Sequence, residues 1–169
     1  MSAQHLQLGM FDSYFQRFGG HRDLMLKFFI IFSRAEFTLK ESGFARRGRH
    51  DIAEADWERF ALNIEPNFDP QGSPELIAAI DYLTNHPPRL RKLDPANNLI
   101  WSANVRRPRQ THLQWLLSLV KTVRNNLFHG GKYPFDPARD VLFIEHSLVV
   151  LEACIKVDTK IAVDFQFKR

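Results

Sequence analysis

Apolar residues in this chain recur every three or four positions and nowhere alternate over any length, a pattern that selects helices and argues against an extended sheet. From Asp23 to Ser42, Leu24, Phe28, Ile31, Ala35 and Leu39 form one stripe. Met25, Phe29, Phe32 and Glu36 form a second beside it, and Gly43 is placed to end the helix. Asp51 followed by Glu54 resembles a capping box for a helix through about Leu62. Ser73-Pro74-Glu75 supplies an N-cap and a first-turn proline for a helix ending near Asn85. From Arg109 to Phe128, Leu113, Leu116, Leu117, Val120, Val123 and Leu127 share a face, with Gly130-Gly131 terminating it. Asp136-Pro137 opens a last helix to about Ile161. Residues 87–108 hold Pro, Asn and Arg without sustained period, which predicts an irregular basic loop with a short extended piece at Leu99–Trp101. The expected product is an all-α bundle of four or five helices.

A chain of 169 residues that is 44% hydrophobic supports one core, so a single domain over residues 1–169 is expected. Its single cysteine, Cys154, cannot bridge within the chain and is read as a small core residue in a reducing compartment. The longest apolar cluster, Leu24–Phe32, is interrupted by Lys27 and falls well short of the roughly 20 residues a membrane span needs. The opening MSAQHLQLGMFDSYF lacks the basic-then-apolar order of a secretory signal. A cytoplasmic protein with no membrane partner is therefore expected.

The net charge of +4 hides an uneven distribution. Residues 51–86 carry eight acids and one Arg, whereas residues 87–132 carry nine Lys and Arg and one acid, Asp94. A basic run is either a solvated face balanced by the acidic block or a footprint for a polyanion, whose phosphates release counterions to Lys and Arg. Within that run, Arg124 is out of place. At about 100° per residue, with Leu113 as zero, Leu117 falls near 40°, Val120 near −20° and Arg124 near 20°, so a guanidinium points along an apolar stripe. It cannot shed its proton, so it requires an acid, an anion or a wet cleft. Glu36 is the mirror case on the first helix, and a Glu36–Arg124 pair between the two helices is the expectation. His129, at the end of the Arg124 helix, is favoured as imidazolium by the unsatisfied carbonyls there. On spacing alone, Arg124 and His129 read first as a paired core arginine and a helix-end cap, with Gly130 making the left-handed turn.

The string VRNNLFHGGKYPFD, residues 123–136, resembles the signature of HEPN-domain proteins, in which an Arg, often followed by a polar residue, precedes a His by four to six positions near a helix end. Here Arg124-Asn125 leads to His129 and then Gly130-Gly131-Lys132-Tyr133. Residues 32–44, FSRAEFTLKESGF, are similar to the first-helix region of such proteins, where an acidic residue, here Glu36, often lies near the motif Arg. The resemblance implies an up-and-down HEPN-like bundle and, in many members, metal-independent cleavage of RNA by homodimers acting as toxins or defence effectors. An antitoxin protein would be the partner in the toxin case. Other members are inactive nucleotide-binding, RNA-binding or scaffolding versions, the alternative for this chain.

By that resemblance Arg124 and His129 are the catalytic pair, Asn125, Glu36 and Tyr133 are auxiliary, and Lys132, Lys121, Arg106, Arg107 and Arg109 contact RNA. No cofactor is implied. The seven scattered histidines offer no zinc spacing, and no phosphate loop or nucleophile elbow is present. Five residues place Arg124 and His129 about 140° apart on an ideal helix. Either the helix end relaxes at Gly130 or the site combines two chains. Trp57, Trp101 and Trp115 are read as packing residues, with Trp101 in the basic loop also suited to stacking on an unpaired base. His146 beside Glu145 is read as a helix-surface or satisfied interior pair. The positive stretch is expected to line the cleft that holds His129.

Overall fold

The structure is a computed structural model and describes residues 19–128 and 136–167. Helix α1 (Arg22–Glu41) turns Phe28, Phe32, Ala35 and Leu39 inward, as its spacing predicts. It ends on Gly43 at φ 91°, where the Phe44 N–H donates to the Leu39 carbonyl at 2.8 Å and the Gly43 N–H to that of Lys40. This closure needs a left-handed residue after the last turn, which glycine adopts without steric cost.

The chain then makes a hairpin where a helix start was expected. Strand β1 (Ala45–Arg47) pairs antiparallel with β2 (Ala53–Ala55), setting Arg46 opposite Glu54. Asp51 lies in the turn with φ 61°, and Glu54 is bound to Arg46 by an ion pair of 3.0 Å, so neither caps a helix. Helix α2 (Trp57–Ile64) starts later, on Asp56, whose carboxylate accepts from the Arg59 N–H at 3.0 Å. Helix α3 (Pro74–Asn85) starts where predicted, with Ser73 Oγ accepting from the Leu76 N–H.

The irregular basic loop is also a hairpin. Strand β3 (Leu90–Leu93) pairs antiparallel with β4 (Leu99–Ser102). The Asp94 carboxylate accepts from the Ala96 and Asn98 N–H groups and shapes the turn, with Asn97 at φ 63°. The extended piece expected at Leu99–Trp101 is β4, whereas β3, four residues mostly exposed on both faces, left no alternation to read.

Helix α4 (His112–Phe128) buries Leu113, Leu116, Leu117, Leu119, Val120 and Val123. The expected last helix is two: α5 (Pro137–Val157) and α6 (Thr159–Phe167). Asp158 separates them, its carboxylate accepting from the Lys160 and Ile161 N–H groups at the new start. The described residues thus form a mostly helical fold of six helices and two small hairpins, rather than four or five helices alone. Helix α5 packs along α3, α1 and α4, while α2 packs on α4, so α4 has apolar neighbours on several sides. Cys154 is buried in this core, and burial pushes its thiol well above the usual range. No helix among the described residues is long and apolar enough to cross a membrane.

Candidate functional site

The last turn of α4 carries Arg124 past the edge of the core. Its apolar-stripe position aims it at α1, and its guanidinium carbon lies over the Phe32 ring, 5.5 Å from the centroid. Its Nη1 donates to Asn125 Oδ1 at 3.1 Å. Phe32 is buried, stacks on Trp57 at 5.2 Å and meets Phe28 edge-on at 6.0 Å. Arginine therefore sits on an aromatic platform, where its charge meets the negative ring face while the guanidinium stays half-buried.

Among the described residues no ion pair joins Glu36 to Arg124. Glu36 lies one turn beyond Phe32 on α1, and it lines a cleft of about 200 Å³ with Lys121, which lies one turn before Arg124 on α4. The helical wheel pointed both expected partners inward correctly but carried no information about axial offset. Packing displaced the match by one turn, so Phe32 faces Arg124 and Glu36 shares a cleft with Lys121. Lys40, Arg46, Glu54 and Trp57 complete the polar wall of this cleft. Burial holds the Lys121 ammonium below the usual lysine range and Arg46 repels it further, while Glu36, Glu58 and Glu54 act in the opposite direction.

His129, Lys132 and Tyr133 lie outside the described residues. Of the other expected RNA contacts, Arg106 donates through Nε and Nη2 to the Gln110 carbonyl at 2.9 and 2.7 Å. Arg107 pairs with Glu58 at 2.8 Å, and Arg109 is an exposed residue at φ 65°. All three precede α4, whereas Arg124 is in its last turn, about 18 Å farther along the axis at 1.5 Å per residue. Arg106, Arg107 and Arg109 therefore lie toward the start of α4 rather than beside Arg124, while other parts of the basic stretch reach its later turns. Two asparagines tie it there: Asn104 Nδ2 donates to Thr122 Oγ1 at 3.3 Å, and Asn126 Nδ2 donates to the Arg89 carbonyl at 2.8 Å.

Asn126 went unread in the sequence, because the second Asn of Arg-Asn-Asn looks like the first. Its neighbour Asn125 is exposed, whereas Asn126 is 6% exposed and holds the approach to β3 against α4. Asn126→Leu should cost about 1–3 kcal/mol, because it leaves a carbonyl without its donor. Asn125→Ala should stay within about 0.5 kcal/mol. Urea denaturation midpoints of the two variants check this contrast.

Trp57 and Trp115 are buried as expected. Trp101 remains 37% exposed on β4, with the Arg91 guanidinium 4.6 Å above its ring. The His146 ring lies tilted against Tyr82 with centroids 4.6 Å apart, and burial lowers its basicity while Glu145 opposes that shift. Among the described residues no group of three or more His, Cys, Asp or Glu side chains could hold a metal ion. No protein-family model, curated protein or solved structure matches this chain.

Proposed function

We propose that this chain is a metal-independent endoribonuclease of the HEPN type, working as a homodimer in the role of a toxin or defence effector. The observation that carries the reading is Arg124. It is an always-charged planar donor on an aromatic platform at the end of α4, in the turn that leads to His129. In the proposed reaction the His129 imidazole takes the proton from a ribose 2′-OH, and the freed oxygen attacks the adjacent phosphorus. Arg124 stabilises the charge growing on the non-bridging oxygens through its fork of N–H donors. The bond from phosphorus to the 5′-oxygen breaks, and that oxygen takes up the proton from the imidazolium. The products are a 2′,3′-cyclic phosphate and a 5′-hydroxyl. Arg106, Arg107 and Arg109 before α4, Lys121 within it and Lys132 after it contact the strand. The exposed apolar residues Leu26 and Ile30 on α1, 57% and 53% exposed, suit this helix to the dimer contact.

Purified protein incubated with mixed RNA in EDTA is expected to leave cyclic-phosphate ends, and His129→Ala should lower the rate by about 10²–10⁴-fold. Undiminished cleavage by that variant would remove the mechanism. Intact RNA bound with salt-sensitive affinity would move the protein to the non-catalytic RNA-binding reading.

A further inference from the structure

We infer that the β3–β4 hairpin binds the unpaired bases of a single nucleic-acid strand, with Trp101 as the stacking surface and Arg89, Arg91 and Lys92 as the charge that draws in the phosphates. The antiparallel register sets Arg91 opposite Trp101 and Leu93 opposite Leu99, so these four side chains share one face of the ribbon. No residue of either strand is buried. Leu93 and Leu99 are 62% and 63% exposed, and Trp101 keeps 37% of its surface in water. An apolar shelf left open on a thin hairpin adds nothing to the core and marks a surface that meets a partner.

Charge and shape select that partner. The Arg91 guanidinium carbon lies 4.6 Å from the Trp101 ring centroid, so the shelf carries a cation at its aromatic end. Among the described residues Arg89, Arg91 and Lys92 have no ion-pair partner. Asp94, the acid of the hairpin, is committed to its turn, where the carboxylate accepts from the Ala96 and Asn98 N–H groups and from Asn98 Nδ2. A positive ribbon with an open indole matches a strand that carries a negative phosphate at each step and an exposed ring beside it. A duplex offers the same charge but hides its ring faces in its own stack. A lipid interior is a poor match, because the apex from Asp94 to Asn98 is polar and charged.

Both sides of the hairpin are fastened to α4, at Thr122 through Asn104 and at Asn126 through the Arg89 carbonyl. These turns also carry Arg124, which projects about 200° round the helix from each anchor. A strand seated on the hairpin therefore flanks the Arg124 end of α4 without occupying it. As a nucleic-acid site the hairpin stands by itself; as the element that selects an unpaired substrate for cleavage it rests on the function proposed above.

The test uses the full chain and a single-stranded DNA oligonucleotide of mixed sequence, which presents the same kind of base faces as RNA but lacks the 2′-OH and stays intact. Affinity is read by fluorescence anisotropy of the end-labelled strand and of its matching duplex, and tryptophan emission is followed with the unlabelled strand. Trp57 and Trp115 are buried, so emission quenched by the strand reports Trp101. The single strand is expected to bind more tightly than the duplex and to quench that emission. Trp101→Ala should weaken single-strand binding by about tenfold or more, the weight of one stacked base, and leave duplex affinity and melting temperature as in the wild type. Trp101→Phe, which keeps a ring face, should recover most of the loss. Lys92→Gln should weaken both probes and lower the salt dependence by about one ion. Single-strand binding unchanged in Trp101→Ala, or lost equally for both probes, overturns the site. Emission that answers to phosphatidylserine vesicles or to protein concentration but not to the strand also overturns it, assigning the shelf to a membrane or a second copy. The nuclease reading fails separately: RNA left intact in EDTA by a chain that still binds the strand through Trp101 removes cleavage and keeps the hairpin site, whereas RNA cleaved while Trp101→Ala binds the strand like the wild type does the reverse.

Discussion

Phe32→Ala is expected to destabilise the fold by about 3–5 kcal/mol, the usual cost of truncating a buried aromatic residue. Phe32 is 1% exposed and touches three elements at once: Phe28 on its own helix, Trp57 at the start of α2, and Arg124 on α4. Loss of the ring opens a cavity that rigid aromatic neighbours cannot close, and it strips the aromatic face from beneath a guanidinium. For a chain of this size, about 2–4 °C per kcal/mol predicts a fall in melting temperature of roughly 6–20 °C. Phe37→Ala, on the same helix but 36% exposed, should cost about 1 kcal/mol or less. Equal losses in the two variants, measured by thermal melting followed by circular dichroism, would show that the core is not centred on Phe32.

Arg124→Lys separates charge from shape. Lysine keeps the positive charge but not the planar fork that spans two phosphate oxygens, so the cleavage rate at saturating RNA should fall by about 10²–10³-fold. Stability should change little, because a half-exposed cation over a ring contributes about 0.5–1 kcal/mol and lysine retains part of it. A large rate loss with an unchanged melting temperature is the signature of a group that acts on the reacting phosphate. Arg124→Lys and Arg124→Ala both cleaving at the wild-type rate would end the nuclease reading, even if RNA were still bound.

The long helices were legible because their signals are local. The α1 stripe and Gly43 stop, the Ser73-Pro74 start of α3 and the apolar face of α4 all lie within a few turns of the residues they govern. The first hairpin was not legible for the opposite reason. Asp51 and Glu54 have capping-box spacing, yet Glu54 is held by Arg46 across the strands, a contact eight residues apart that no helical pattern encodes. The split at Asp158 was hidden because Lys160 and Ile161 continue the helical pattern, while the carboxylate offers their N–H groups an alternative acceptor.

At the candidate site, sequence alone determined that Arg124 must project along an apolar stripe, because helical period and the guanidinium's permanent charge are properties of the chain itself. It likewise determined that Glu36 must point inward. What stands opposite each was decided only by the tertiary structure. Whether Arg124 meets Glu36 or Phe32 depends on how far α4 slides along α1, and that offset is set by packing the Phe28–Phe32–Trp57 cluster. The same packing left Glu36 and Lys121 around one cleft, an arrangement that neither helix contains alone.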